Sequence, residues 1–446
     1  MSRSVKTLLS KWFFYIPATL ARFEPVVFLL PIYNRRQKWT KNQLIEWQEK
    51  KLKLLLKHAQ SKSLYYKNSL PNNSILNQEG TNFFESYSKL PTITKRDLIG
   101  NEDKIKTGKR LFISEKVTGG STGEPVKLAK DSYALACERA ATWRSYEWAG
   151  IGIGEKQARF WGVPHSTSKM LTAKLTDFIS RRKRFSAFDM GNDKLGSIYK
   201  ELQKYKPAYI YGYVSAIDSL SQYAIEHQLE SIPSLKCVIT TSEVLSEIAR
   251  KNIEKAFKVK VYNEYGCGEV GSIAHECSHG SLHIMSDNLY IETEGDELII
   301  TDLTNFAMPL IRYKVGDLGC LTFKDCKCGS NFPILEKISG RAYDIITTPE
   351  GKSIHPEALI YVFEDLQKEE RYFNQFQVIQ THADQFTVNI MPARQLTNLE
   401  ITKLELALKK NISSTSLFNI KVVEQILREK SGKMRVVKCS IEGSAI

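Results

Sequence analysis

The stretch from Val117 to Leu128, VTGGSTGEPVKL, gathers Gly119, Gly120 and Gly123 around the hydroxyls of Thr118, Ser121 and Thr122. Glycines let backbone N–H groups crowd against an anion and hydroxyls add donors, so the composition suits a phosphate group. It is not a Walker A loop, because Gly123 is followed by Glu124 where that motif needs lysine. A plain turn between ordered segments has the same composition, and on this stretch alone both readings stand. A second constellation could hold a metal. Cys277 and His283, in ECSHGSLH, precede Cys326 and Cys328, in DCKCG, and two soft-ligand pairs separated by a hairpin can converge on a tetrahedral zinc ion. His275, His279 and Cys320 compete as ligands, and free thiols are the alternative.

The elements that must position these groups are legible in part. Leu44, Ile45, Leu52, Leu55 and Leu56 recur among lysines and glutamates between Asn42 and Gln60, which predicts an amphipathic helix. Ser132 to Ala149 reads the same way, with Gly150 placed to stop it. From Ser234 to Gly266 the order is strand LKCVIT, turn TTSEV, helix LSEIARKNIEKAF, strand VKVYNE and a glycine-rich turn YGCGEVG. That is a βαβ unit, whose parallel strands carry their carboxyl ends, and so the Thr240–Glu243 and Tyr265–Gly271 turns, to one crevice. LYIETEGDELIITDL predicts a hairpin turning at Glu294-Gly295-Asp296. Beyond Gly340 the pattern becomes helix PEALIYVFEDL, strands FNQFQVIQ and QFTVNIM, helix NLEITKLELALKK and strand FNIKVVEQI, an α+β module of about a hundred residues. The expected fold class is α/β with parallel βαβ units. The expected divisions are an apolar and basic segment over 1–40, a large domain over 41–340 and a small C-terminal α+β domain over 341–446.

The 446 residues, 42% hydrophobic and 25% charged, have ordinary globular composition and suffice for two or three domains. A formal charge of +14 favours an anionic partner without choosing among nucleotide, membrane surface, acidic glycan and nucleic acid. The run Arg181 to Arg184 reads as a solvated face, and no nucleic-acid-binding module accompanies it. Eight cysteines at irregular spacing form no disulfide framework, and no cleavable signal sequence is evident, which points to a reducing, cytoplasmic setting. The stretch WFFYIPATLARFEPVVFLLPIYNRR is broken by Pro17, Arg22, Glu24, Pro25 and Pro31 well short of a spanning helix. Packing against the protein's own body is the favoured reading, and an interfacial anchor on the inner face of a membrane is the alternative, with Lys6, Lys11, Arg35 and Arg36 flanking it.

Taken in order, TGGSTGEP, NEYGCGEVG, MPLIRYKVGDLG, ISGRAYD and SGKMRVV resemble the motifs of the adenylate-forming ligase superfamily, and within it the phenylacetate-CoA ligase-like proteins with their CapK branch associated with capsule polysaccharide synthesis. The resemblance covers almost the whole chain, and five ordered motifs are far more specific than any one. It implies activation of a carboxylate by attack on the α-phosphate of ATP, with pyrophosphate expelled and an acyl-AMP formed, a reaction governed by charge stabilisation and positioning. Thr118 to Gly123 would hold the β and γ phosphates, with Glu124 standing where relatives usually carry lysine and Lys127 a candidate substitute. Glu269 matches the family's magnesium-binding acid, a hard ligand suited to that ion. Tyr265 would lie against adenine, with Gly266 beside it and Thr240, Thr241 and Glu243 lining the same pocket. Asp317 matches the aspartate that accepts the ribose hydroxyls, Arg341 the arginine beside the nucleotide, Asp344 the hinge, and Lys433 the mobile catalytic lysine, with Lys430 as its competitor. Some relatives carry a Cys/His zinc site in the region of Cys277 to Cys328.

The expected function is therefore an ATP- and Mg2+-dependent ligase that activates a carboxylic or amino acid and passes the acyl group to coenzyme A, or to an amine, hydroxyl or carrier in polysaccharide biosynthesis. Trp161 to His165 and Tyr211 to Val214 are candidates for lining the acid pocket. The competing reading is a non-catalytic basic zinc-containing binding protein at a membrane or polyanion, which accounts for charge and cysteines but leaves Glu269, Asp317, Arg341 and Lys433 as coincidences.

Overall fold

The structure is a computed structural model. It describes residues 11–439 apart from 72, 109–111, 119–125, 162–173, 175, 188, 189, 191, 244, 246, 296, 340–345, 352, 355, 367–371, 393, 425 and 427–436.

The βαβ pattern develops into the parallel half of an eleven-stranded mixed sheet. β3 (Gln157–Trp161), β4 (Arg182–Ser186), β5 (Tyr209–Tyr213), β6 (Cys237–Thr241) and β7 (Lys260–Cys267) run parallel in the order β7-β6-β5-β3-β4. Period-two alternation in these strands sends Ala158, Phe160, Ile210, Val238 and Val261 to one face. There they meet helices Asn192–Tyr205, Val214–Glu226 and Glu247–Phe257. Tyr209, Tyr211, Cys237 and Ile239 turn to the other face, under Tyr146 and Ala149 at the end of helix Ser132–Trp148. That helix begins with the Asp131 carboxylate accepting the Ala134 N–H at 2.8 Å and ends before Gly150, whose φ of +73° suits a residue without a Cβ.

From β7 the sheet continues antiparallel through β8 (Gly271–Glu276), β9 (Leu282–Ile284), β10 (Leu289–Glu294), β11 (Glu297–Asp302), β12 (Tyr313–Thr322) and β13 (Ile334–Ser339), in the order β10-β11-β12-β13-β9-β8-β7. β10 and β11 form the hairpin expected from sequence. Helix Lys41–Lys62 opens on a Thr40/Gln43 capping box and buries Leu52, Leu55 and Leu56 against this half. β1 (Ile113–Thr118) and β2 (Val126–Asp131) form a separate two-stranded hairpin flanking the TGGSTGEP loop. C-terminal to β14 (Ile346–Thr347) and β15 (Ser353–Ile354), β16 (Phe373–His382), β17 (Gln385–Pro392), β18 (Leu417–Val422) and β19 (Val437–Cys439) make a four-stranded sheet ordered β18-β17-β16-β19. Helices Pro356–Leu366 and Asn398–Asn411 share its core, so every element read from this part of the sequence is present.

Two readings are corrected. YGCGEVG is not one turn: β7 runs on through Tyr265, Gly266 and Cys267, and only residues 268–270 turn, because the chain doubles back into β8. Gly266 is needed where the hairpin arms close, since a Cβ there would lie 2.6 Å from the Gly271 carbonyl oxygen. The Arg181–Arg184 run is not a solvated face. It forms the edge strand β4, where Arg184 pairs with Asp177 at 3.1 Å and Arg182 donates to Gln157 at 2.6 Å. Charged side chains on an edge strand discourage pairing with another sheet.

The layers are locked by one buried ion pair. Arg144 of helix Ser132–Trp148 donates from both terminal nitrogens to the Asp287 carboxylate, at 2.7 and 3.1 Å, and neither side chain reaches solvent. Removing one partner of such a pair strands a buried charge, which costs about 3–5 kcal/mol. Arg144→Ala and Asp287→Ala should therefore each lower stability by that order in denaturant titrations. A loss well under about 1 kcal/mol in both would show that the pair does not hold the layers together.

Candidate functional site

Open parallel sheets bind ligands beyond the carboxyl ends of their strands. At that edge Tyr213, Thr241 and Glu264 stand in one register row across β5, β6 and β7, with the Trp161 ring of β3 4.4 Å from that of Tyr213. Tyr265 follows on β7, and its hydroxyl donates to the Asp317 carboxylate on β12 at 2.8 Å. β8, β9 and β13 separate these strands in the sheet order. The contact thus requires the sheet to curl, and the curl brings together two residues expected to serve adenine and ribose. Glu269 occupies the tight turn between β7 and β8 and is partly exposed, a suitable setting for a cation ligand. Burial pushes the neighbouring Cys267 thiol well up, and the Glu269 charge adds to that effect, so Cys267 is an inert thiol at neutral pH.

The hairpin carrying the glycine-rich loop is fastened to this turn by a residue that motif reading missed. Lys130 on β2 donates to the Val270 carbonyl at 2.8 Å and to the Glu138 carboxylate at 2.9 Å, with Asp302 at 3.6 Å. Burial opposes its charge, but the Glu138 and Asp302 carboxylates outweigh that and hold the ammonium protonated. Thr118 pairs with Val126 at the hairpin end, while Gly119 to Gly123 lie outside the described residues. Lys127 is exposed on β2. Thr240 is buried at the end of β6, with its hydroxyl 3.3 Å from Asn263 Oδ1. Thr241 is buried beside it, and Glu243 is half-buried in the following bend. Arg341, Asp344, Lys430 and Lys433 lie outside the described residues, as do 162–165 of the WGVPH segment.

A polar cluster lies behind the row, and it too was not read from sequence. Glu264 accepts from the Tyr146 hydroxyl at 3.1 Å and the Tyr211 hydroxyl at 3.5 Å, and His275 Nδ1 stands 3.9 Å away. Burial pushes the Glu264 carboxyl up to about 7, against the Tyr146 hydrogen bond and the Arg159 charge, and pushes His275 down to about 3. Arg159 lies over the Trp161 and Tyr211 rings at 4.6 and 5.1 Å. A buried carboxyl, a guanidinium and aromatic rings next to the ligand edge form a surface able to discriminate among acids. The sequence signal was slight: a glutamate one residue before a motif tyrosine.

The sulfur and imidazole ligands converge. Among the described residues, the ligand atoms of Cys277, His283, Cys326 and Cys328 all lie within 4.8 Å of one another. Cys277 and Cys326 Sγ are 3.7 Å apart, and Cys328 Sγ is 3.2 Å from His283 Nε2. A tetrahedron with Zn–S bonds of about 2.3 Å sets sulfurs about 3.8 Å apart, so the set fits zinc and is far too open for a disulfide. His283 Nδ1 faces the Phe332 carbonyl at 2.8 Å, an outer contact that fixes the tautomer and leaves Nε2 free to bind metal. The competing ligands fall elsewhere: His275 bonds Ser272, His279 is exposed beside Ser278, and Cys320 is exposed on β12.

Glu264 gives a pH signature. Its carboxyl takes up a proton more readily when folded than when unfolded, so its contribution to stability falls as pH rises from about 4.5 to about 7 and is flat above. Glu264→Gln resembles the protonated form, so its melting temperature relative to the parent should be higher at pH 8 than at pH 5. Equal offsets at the two pH values would refute the buried-carboxyl assignment.

Comparisons with known proteins agree with this geometry. Residues 346–440 match the CapK C-terminal domain family. The chain is 24% identical to Protein CapK of Staphylococcus aureus over 421 residues, 88% of this chain and 89% of that protein. It is 30% identical to phenylacetate-coenzyme A ligase of Thermus thermophilus over 139 residues, 28% of this chain and 31% of that enzyme. Its fold matches 2-hydroxyisobutyryl-CoA ligase in complex with 2-HIB-AMP and CoA, in the thioesterification state, with a TM-score of 0.61 at 19% identity over 91% of each chain. Five ordered motifs, a mixed sheet matching that of an acyl-CoA ligase, a C-terminal CapK family match and likeness to Protein CapK along most of the chain together support a CapK-like member of the adenylate-forming ligase superfamily.

Proposed function

We propose that this ATP-dependent acid ligase activates a carboxylic or amino acid as its acyl-AMP and transfers the acyl group to a nucleophilic acceptor. The observation that carries the reading is the Tyr265–Asp317 contact beside the Glu269 turn. It joins a ring able to cover adenine to a carboxylate able to accept ribose hydroxyls. Thr118 to Gly123 cradle the β and γ phosphates, on a hairpin whose base Lys130 ties to the same turn. Glu269 would hold the magnesium ion, which when bound would neutralise phosphate charge. Arg341 and Lys433, by their motif positions, meet the nucleotide from the 341–446 domain, Lys433 neutralising charge that develops at the α-phosphate. The Glu264, Arg159 and Tyr211 surface reads the acid. Coenzyme A is the acceptor suggested by the phenylacetate-coenzyme A ligase likeness, and an amine, hydroxyl or carrier in polysaccharide assembly is suggested by the CapK likeness.

ATP–pyrophosphate exchange across a panel of amino, aromatic, fatty and hydroxy acids tests the reaction. One acid class should support exchange, Lys433→Ala should reduce it by about 100-fold or more, and Asp317→Ala should raise the KM for ATP by about tenfold or more. Absence of ATP binding by calorimetry would end the reading.

We further propose that Cys277, His283, Cys326 and Cys328 hold one structural zinc, whose closed four-ligand set leaves no position for substrate. Metal analysis of the native protein should give one zinc per chain, and Cys326→Ser should lose the metal and melt at lower temperature. Zinc-free native protein with unchanged melting would overturn this assignment.

A further inference from the structure

The apolar stretch at the start of the described chain folds into two helical legs, Lys11–Ala21 and Val26–Arg36, bent by 100°. Among the described residues no single helix is long and apolar enough to cross a membrane. One side of the bent pair is used internally. Val26, Leu29 and Tyr33 pack against Ala136, Cys137 and Ala140 of helix Ser132–Trp148, and Ile16 and Thr19 are buried as well. The other side has no such cover. Trp12, Phe13, Phe14, Phe23, Phe28 and Ile32 are between 42% and 69% exposed, although each is a residue type that folding normally hides.

Two distant segments join this face. Phe178 meets Phe14 edge-on at 5.7 Å between ring centroids and is itself 69% exposed. Phe112 stacks on Phe23 at 3.5 Å, with both rings about half exposed. Both phenylalanines hold left-handed backbone, with φ of +58° and +57°, which is costly for a residue carrying a Cβ. At Phe23 that backbone closes helix Ile16–Ala21, with the Glu24 N–H bonding the Thr19 carbonyl at 2.9 Å, and the turn delivers the ring to solvent.

Charge selects the occupant. The first 45 residues contain eight basic residues, Arg3, Lys6, Lys11, Arg22, Arg35, Arg36, Lys38 and Lys41, and a single acid, Glu24. Glu24 is withdrawn from the surface: its side chain is 3% exposed and pairs with Arg139 at 3.0 Å and Arg22 at 3.4 Å. Arg22 pairs with Glu24, Arg36 lies over the Trp47 ring and Lys41 pairs with Asp325, which leaves Lys11, Arg35 and Lys38 as the described cations beside the exposed rings, with no exposed carboxylate between residues 11 and 41. This is the pattern of an element lying in the interfacial plane of an anionic bilayer, with rings at acyl-chain depth and cations at the phosphates. We propose that the Lys11–Arg36 elbow, extended by Phe112 and Phe178, is a peripheral docking surface for an anionic lipid bilayer.

Co-sedimentation of the full-length protein with sonicated vesicles tests this. Vesicles of phosphatidylcholine and phosphatidylglycerol at 70:30 should bind the protein at least tenfold more tightly than pure phosphatidylcholine. The combined variant Trp12→Ser, Phe13→Ser, Phe28→Ser should lose at least tenfold of that binding while keeping the parent's circular dichroism and pyrophosphate exchange, because all three rings are exposed. Binding that survives the triple variant, or no binding to anionic vesicles, would overturn the proposal. Concentration-dependent dimerisation in sedimentation velocity that the same variant abolishes, without vesicle binding, would instead assign the face to a second copy of the chain. Arg35→Gln with Lys38→Gln separates the two terms: it should weaken binding to the anionic vesicles several-fold and leave binding to pure phosphatidylcholine unchanged. Equal affinity of this variant and the parent for both vesicle types would remove charge from the argument and with it the choice of an anionic bilayer.

Discussion

The Arg144–Asp287 pair holds the arrangement on which the other contacts depend. Asp287 sits in the Ser286–Asn288 segment between β9 and β10, and that segment gathers helices from three parts of the chain. Arg144 arrives from helix Ser132–Trp148, Tyr33 reaches Asn288 from helix Val26–Arg36, and Trp47 and Gln48 reach the Asp287 and Ser286 carbonyls from helix Lys41–Lys62. A guanidinium buried without its carboxylate would be costly, so the elements that bring the two together are held in register by the pairing. Because helix Ser132–Trp148 also carries Glu138 and Tyr146, its seating determines where Lys130 and Glu264 find their partners.

The candidate site is an outcome of curvature more than of local motif. Tyr265 and Asp317 are 52 residues apart and not on neighbouring strands, yet they share a hydrogen bond because the antiparallel strands curl round and bring β12 back to β7. Around the shared hydrophobic core, Val270, Ile273 and Ala274 from the β7–β8 hairpin pack with Leu298, Ile300 and Val315 from β11 and β12. Apolar burial thus supplies the force that closes the distance between two polar groups. Nothing in the local chemistry of either motif would do so.

What sequence disclosed follows from the range of the interaction concerned. Helices Lys41–Lys62 and Ser132–Trp148, the β6–β7 unit, the β10–β11 hairpin and the C-terminal α+β pattern were legible because periodicity and turn residues act over a few positions. The convergence of Cys277, His283, Cys326 and Cys328 was legible from ligand type. Lys130 and Glu264 were not, because a lysine on a short strand and a glutamate beside a tyrosine acquire meaning only from partners brought in over long sequence separations. Arg182 and Arg184 misled for the same reason: Asp177 is a local partner, but their burial depends on β3 beside them. The continuation of β7 through Tyr265 to Cys267 escaped notice because Gly266 looks like a breaker, whereas here it permits a close backbone approach.

β9 is the narrowest seam in the eleven-stranded sheet. It contributes three residues, and its register with β13 rests on a single pair, Ile334 with His283. So thin a ladder cannot by itself transmit the position of β12 to β8, and the Cys/His cluster bridges that seam, with Cys277 following β8, His283 within β9, and Cys326 and Cys328 just ahead of β13. A zinc ion held there would add a second tie across the seam, beside the Ile284 N–H bond to the Pro333 carbonyl at 2.9 Å. Three thiols and one imidazole, drawn from either side of this seam, thus stand where a single bound ion would clasp the thinnest ladder of the sheet.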